Sequence, residues 1–155
     1  MRAVLTALGT MGLQFFGAYY RLLLADALIF AGQTCDALIV LDEGLALSVR
    51  TGETWPDAEL HRRKGELLLA HDQPNPIQAE QELCQAIDIA GGQAAKVFEL
   101  RAATSLAHLW SGQGRRAEAR DLLAPIYAWF TEGFGLPDLR QARELLAQIE
   151  YISPT

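Results

Sequence analysis

One arrangement of small and apolar residues recurs three times along the chain. The segments CDALIVLDEGL, IQAEQELCQAI and AEARDLLAPI each carry an alanine, a leucine four residues later, and a small or apolar residue after three more. The three sets are Ala37, Leu41 and Gly44; Ala79, Leu83 and Ala86; and Ala119, Leu123 and Ile126. Their alanines, at 37, 79 and 119, stand 42 and 40 residues apart. Spacings of four and three residues share one face of an α helix, so the sequence predicts one helical unit used three times.

A second small residue precedes each of these alanines. Ala25 and Ala107 stand twelve residues before Ala37 and Ala119, whereas Gly65 stands fourteen before Ala79. A two-residue insertion in the loop HDQPNP explains the longer interval. Small residues on two facing helices let their backbones approach closely, so each unit is expected to be an antiparallel hairpin.

Periodicity and helix stop signals place seven helices and no strand. The chain is rich in Leu and Ala, and no alternating strand pattern competes with the helical one. Glycines 32, 91, 92 and 114 and prolines 56 and 76 mark helix ends and starts. We expect a single all-α domain over residues 1–155, with hairpins at about 13–50, 57–90 and 94–130 and a capping helix at about 138–150.

The Gly/Ala–Ala–Leu–Ala spacing resembles that of the tetratricopeptide repeat. This resemblance implies antiparallel hairpins stacked as a right-handed solenoid whose last helix caps the stack. The usual repeat is about 34 residues long, and we interpret the longer period as longer helices and loops.

Several segments also resemble the C-terminal helical repeats of large bacterial regulators that carry a nucleotide cyclase or DNA-binding domain and a central ATPase. The resemblance covers about 17–149, and the last third is the most specific. The segments are AELHRRKGELLLA, AEQELCQAIDIA, FELRAATSLAHLW and GRRAEARDLLAPIYAWFTEGFGLPDLRQARELL.

The net charge limits the classes of partner that the chain can bind, and the cysteine pattern indicates its cellular compartment. The formal net charge is −6, which disfavours binding to nucleic acid and to anionic membrane. Cys35 and Cys84 lie in helical patterns without CxxC spacing, so we expect small buried residues in a reducing, cytoplasmic setting. Residues 3–20 are uncharged, but their glycines, threonines and glutamine favour the start of a soluble helix over a membrane span.

Motifs for catalysis, metals and cofactors are not found. GGQAAK lacks the spacing of a phosphate-binding loop, no serine stands in GxSxG, and His61, His71 and His108 form no zinc pattern. The run HRRK at 61–64 is interpreted as a solvated helix face paired with Glu59 and Glu66. The sequence therefore predicts no enzyme, no metal and no cofactor.

The expected function is a protein–protein interaction module. In a stack of hairpins the first helix of each hairpin lines the inner face, where a protein or peptide partner would bind. The residues expected on this concave face are Leu22, Asp26, Glu59, Arg62, Glu66, Arg101, Thr104 and His108. Two alternatives stay open: a regulatory or oligomerisation part of a larger ATPase or cyclase regulator, and a small-ligand sensor using the aromatic end near Trp129.

The N-terminal helix carries apolar residues around much of its circumference. One face can pack on the next helix, which leaves the remainder without a partner in this chain. We expect a homodimer that covers it. The residues assigned to this dimer are Leu13, Phe15, Phe16, Tyr19 and Tyr20.

Overall fold

A computed structural model of the chain describes residues 16–71 and 73–151. Every regular element in these two ranges is an α helix, so the expected all-α class is confirmed. The helices, in chain order, are α1 Gly17–Phe30, α2 Thr34–Thr51, α3 Asp57–Ala70, α4 Pro76–Gly92, α5 Lys96–Gly112, α6 Arg116–Ala128 and α7 Pro137–Tyr151.

The first helix begins later than the apolar pattern suggests. Phe16 has a left-handed backbone with φ 64°, and regular helix starts at Gly17. Left-handed φ is uncommon outside glycine and differs from helical backbone, so Phe16 stands outside the regular helix. The part of the predicted helix before Phe16, with Leu13 and Phe15 of the expected dimer surface, lies outside the described residues.

Three turns share one hydrogen-bonded geometry. In each, a residue of positive φ follows the helix, and the amide of the next residue donates to a carbonyl five residues earlier. The left-handed residues are Gly32, Ala94 and Gly114, and the bonds run from Gln33 to Leu28, Ala95 to Ala90 and Arg115 to Trp110. This arrangement satisfies carbonyls that a helix end leaves unpaired. The predicted stop at Gly91 and Gly92 is wrong by two residues, because both belong to α4 and Ala94 makes the turn.

The repeated small residues all lie in the interior. Ala25, Ala37, Ala79, Ala107 and Ala119 have no exposed surface, and Gly65 is also buried. A Cβ built on Gly65 would stand 2.8 Å from Leu83 Cγ and 3.1 Å from the carbonyl oxygen of Ala79. The α3 and α4 backbones are therefore too close for a side chain at position 65 without a shift.

Helix contacts separate the odd-numbered from the even-numbered helices. Each helix packs against its neighbour in the chain, and α1 also contacts α3, α3 contacts α5, and α5 contacts α7. Among the described residues α2 does not contact α4, and α4 does not contact α6. The odd helices thus form one continuous layer, which carries the charged residues of the candidate site.

The apolar interior contains a cluster at each end of this layer. One joins α1, α2 and the inner leucines of α3, and the other joins α5, α6 and α7. The helix expected at about 138–150 corresponds to α7, and its apolar face packs into the second cluster through Leu139, Ala142, Leu145, Leu146 and Ile149.

Candidate interaction surface

The basic run at 61–64 on α3 is the centre of an ion-pair network and not a solvated face. Arg62 donates to both oxygens of Glu59, at 2.8 and 3.0 Å, and to Glu66 Oε1 at 2.6 Å. The expected pairing is confirmed for Arg62, but the side chains of Arg62 and Glu59 are only 14% and 10% exposed. The expected solvation is wrong because neighbouring odd helices cover this face.

The network continues from α3 onto the other three odd helices. Arg63 Nε donates to Asp26 of α1 at 2.7 Å, and the Ser105 hydroxyl of α5 donates to Glu66 Oε1 at 2.7 Å. Arg101 of α5 reaches Asp138 of α7 at 3.0 Å. Paired charges therefore follow the odd layer from its first helix to its last.

The other two residues of the run face the even helices. His61 Nδ1 lies 2.6 Å from Glu82 Oε2, and Lys64 Nζ lies 2.8 Å from Glu82 Oε1 and 2.8 Å from Asp42 Oδ1. These contacts tie α3 to α4 and α2. Because successive residues of a helix point in different directions, Arg62 and Arg63 form ion pairs within the odd layer. His61 and Lys64 contact carboxylates of α4 and α2.

A cleft of about 180 Å³ opens between α3, α5 and α7. Its lining is mostly polar and carries both signs of charge. The lining residues are Arg62, Glu66, Arg101, Thr104, Ser105, Asp138 and Gln141. Arg101 keeps about a third of its side chain exposed and Gln141 is exposed, so these two are open to contact from outside.

The pKa shifts show that these charges stabilise one another. Burial by itself would raise the pKa of Glu66, but the charge of Arg62 and the bonds from Ser105 and Arg63 lower it overall. Burial by itself would lower the pKa of Arg62, but bonds to Glu59 and the charges of Glu66 and Glu59 raise it overall. The bond to Asp138 raises the pKa of Arg101. The cleft is therefore a fixed array of paired charges.

Some of the predicted concave residues belong to the network and some are buried, and Glu59 is both. Asp26, Glu59, Arg62, Glu66 and Arg101 belong to the network. Leu22, Glu59 and Thr104 are buried, so the expectation that they present an open surface is wrong. Leu22 packs into the α1–α3 core, and the Thr104 hydroxyl donates to the Leu100 carbonyl at 2.7 Å. His108 is exposed but does not line the cleft.

Sequence reasoning missed Ser105, Asp138 and Gln141 as cleft residues. One signal could have found Ser105 and Asp138, because the interhelix bonds join residues 37 to 42 positions apart. These separations are close to the repeat distance, and the Glu59–Arg101 pair is 42 residues apart. Polar residues about one repeat apart on successive odd helices are thus candidate partners.

The aromatic end proposed as a sensor pocket lies away from this cleft. Trp129 is 58% exposed and stacks edge-on with Phe130 at 5.2 Å. Lys96 lies over its ring at 5.9 Å. The Trp110 indole instead donates to Glu80 at 2.8 Å, while the Arg115 guanidinium lies 4.5 Å above its ring. Both tryptophans thus have structural partners.

The two cysteines occupy different settings. Cys84 is half-buried, and burial raises the pKa of its thiol. Cys35 is exposed, so its expected burial is wrong, and its Sγ lies 3.5 Å from His71 Nε2. In residues 16–71 and 73–151, no three His, Cys, Asp or Glu side chains form a group that could hold a metal ion.

The remaining findings concern membrane spans and similarity to known proteins. No helix within the described ranges combines the length and apolar character that crossing a bilayer requires. Comparison with protein-family models, curated proteins and solved structures gives no match.

Proposed function

We propose that this chain is a tetratricopeptide-like helical solenoid that binds a protein partner in the cleft between α3, α5 and α7 and catalyses no reaction. The observation that carries the proposal is the continuous odd layer with its paired charges. In a curved stack of hairpins, the helices on the inner side come closer together than those on the outer side. The contacts of α1 with α3, α3 with α5 and α5 with α7, and their absence between the described even helices, support this arrangement.

The cleft chemistry favours a segment of protein as the ligand. Arg101, Gln141 and Asp138 offer donors and acceptors along one open side, and a peptide backbone or mixed polar side chains can satisfy both. The arginines are already paired with carboxylates, so an isolated anion would have to displace Glu66 or Asp138. The net charge of −6 also disfavours nucleic acid.

A rigid network is well suited to recognition. Because Glu66 accepts three bonds and Arg62 donates three, these side chains hold their positions before a partner arrives. Preorganisation lowers the entropy cost of ordering an interface. Selectivity would then come from the spacing of donors and acceptors along the cleft.

The test uses a cleft variant that spares the network. Arg62→Glu is unsuitable, because it would replace the guanidinium between Glu59 and Glu66 with a third carboxylate and so destabilise the fold itself. Gln141 is exposed on α7, so Gln141→Trp obstructs the cleft from outside. Gln85→Trp is the matched control, because Gln85 is exposed on α4 and lies outside the cleft lining.

Peptides are selected against the full chain from a displayed random library, and their dissociation constants are measured by calorimetry. We expect Gln141→Trp to weaken the selected peptides at least tenfold, about 1.4 kcal/mol, and Gln85→Trp to leave them within twofold. Peptides that bind both variants equally, or a library that yields no binder, would contradict the proposal.

A further inference from the structure

An apolar stripe runs along the exposed side of α1. Its members are Tyr20, Leu23, Ala27 and Phe30 of α1 together with Phe16, the residue immediately before the helix; all are exposed, with Phe30 96% exposed. They are separated by four, three, four and three residues. This is the average 3.5-residue spacing with which a helix packs against a second helix along a continuous seam.

The stripe carries no charge. The charged residues of α1 are Arg21 and Asp26, and both have partners on neighbouring helices. Arg21 Nε lies 3.7 Å from Glu43 of α2, and Asp26 accepts from Arg63 of α3. The stripe is therefore suited to contact with an apolar helix, and it offers no charge by which to select one partner over another.

We propose that a second copy of this chain covers the stripe, with the two α1 helices antiparallel about a two-fold axis at Leu23. The spacing of the stripe residues is nearly the same in both directions from Leu23. An antiparallel partner sets Leu23 against Leu23, Phe16 against Phe30, and Tyr20 against Ala27. The large Tyr20 then meets the smallest member of the stripe, as interdigitated packing requires.

The exposed area, if all of it is covered, reaches the minimum that a specific pair requires. Trp55 extends the stripe at its Phe16 end, where the two rings meet edge to face at 6.3 Å. With roughly 150–250 Å² for each aromatic side chain, the exposed parts of Phe16, Tyr20, Phe30 and Trp55 amount to roughly 450 Å² per copy. With Leu23 and Ala27 added, two copies bury about 1,000 Å², the lower range of specific interfaces.

The first experiment measures self-association of the full chain by sedimentation equilibrium between about 1 and 100 µM. We expect a monomer–dimer equilibrium that Leu23→Glu weakens at least thirtyfold, because two carboxylates would meet at the axis. Ile39→Glu is the matched control on α2, at a residue of similar exposure, and should stay within threefold. Ala27→Glu repeats the test if Leu23→Glu lowers the helical circular dichroism signal.

The second experiment tests the antiparallel register, in a background where Cys35 and Cys84 are serine. Protein with Tyr20→Cys, mixed with protein carrying Ala27→Cys, should oxidise to a disulfide-linked pair. Neither alone should do so, because two copies of residue 20 lie about 9 Å apart along an antiparallel axis, whereas a disulfide requires Cα atoms within about 7 Å.

Three results would overturn the inference. The first is a wild-type chain that stays monomeric at 100 µM, as it would if residues 1–15 or another protein covered the stripe. The second is equal weakening by Leu23→Glu and Ile39→Glu. The third is a disulfide formed by Tyr20→Cys alone, which would show a parallel pair.

Discussion

The first and last described helices have opposite surfaces. α7 buries Leu139, Ala142, Leu145 and Ile149 and turns arginine, glutamine and glutamate outward. α1 also buries one face, through Ala18, Leu22, Leu24 and Ala25, but its outward side is the apolar stripe from Phe16 to Phe30. α7 is amphipathic along its whole length, and α1 is apolar on two sides.

Within the described residues, the two ends of the odd layer therefore differ: α7 presents a polar outer face and α1 an apolar one. A stack of helices needs a polar outer face at each end, because the apolar face of a terminal unit otherwise meets water. The outward side of α7 supplies that polar face within the described residues. α1 presents an apolar surface of the kind that in monomeric proteins seldom exceeds a few hundred Å².

The largest expected effect comes from removing α7. Truncation before Gly135 would expose Leu100 and Leu123, which are buried in the cluster shared with α7. We expect aggregation or loss of cooperative unfolding, measured by thermal melting and light scattering. A soluble truncated chain that melts cooperatively would show that α7 is not needed to finish this end. Arg143→Ala on the outer side of α7 serves as control and should change stability by less than about 0.5 kcal/mol.

The next effect concerns the close contact between α3 and α4, which lies in the middle of the chain between the two ends. Ala79 is fully buried, and its carbonyl lies against Gly65 on α3. Ala79→Leu should overpack this seam and lower the free energy of unfolding by about 1–3 kcal/mol in urea titration. Gln85→Ala on the exposed side of α4 should change it by less than about 0.5 kcal/mol. Equal, small effects would show that the assigned repeat register is incorrect.

A smaller effect on stability is expected from lowering the pH, because acid protonates Glu66 in the ion-pair network of the odd helices. The pKa of Glu66 lies below the ordinary glutamate value of 4.5, because the charge of Arg62 and the bonds from Ser105 and Arg63 outweigh its burial, so its native form binds fewer protons than its unfolded form. Its stabilising contribution is complete above pH 4.5 and is lost as the pH falls through the lower native pKa. Melting temperatures measured from pH 7 to pH 3 should therefore fall less steeply below pH 4.5 for Glu66→Gln than for the unmodified chain.

Glu144→Gln is the matched control for this pH experiment, because Glu144 is exposed on the outer side of α7. It should reproduce the wild-type dependence. Identical profiles for Glu66→Gln and the unmodified chain would show that the network does not couple to folding.

The smallest effect is expected on the outward side of α1. Leu23→Gln should change the free energy of unfolding by less than about 0.5 kcal/mol when measured on the dilute monomer. A loss above about 1 kcal/mol under those conditions would show that another part of the chain covers Leu23, and the contrast between α1 and α7 would no longer hold.

Most of the helical organisation could be predicted because its signals are local. The start of the second hairpin was placed correctly at Asp57, where Pro56 marks the limit. The α4–α5 turn was misplaced because Gly91 and Gly92 resemble a stop, yet both fit within the helix and Ala94 adopts the left-handed conformation. A helix tolerates glycine at a cost of about 1 kcal/mol, which the buried packing of Ala86 and Ala90 can offset.

The candidate site was predictable only in part. Arg62 was paired with Glu59 and Glu66 from their spacing on one helix, and the structure contains both pairs. Asp138 was read only as a residue at a helix start, because its partner Arg101 lies 37 residues away. Which polar residues meet across such distances depends on how far each helix is rotated about its own axis, and local periodicity does not fix that rotation.

The sequence by itself determined the helices, the repeated close-packed positions and the amphipathic last helix, because each depends on residues three or four apart on one element. Only the tertiary structure decided that HRRK lies in a network between helices, that Leu22 and Thr104 are buried, and that Leu23 is exposed. Whether a side chain is buried depends on which helices pack against its own helix. A charged run has the same sequence whether water or a neighbouring helix contacts it.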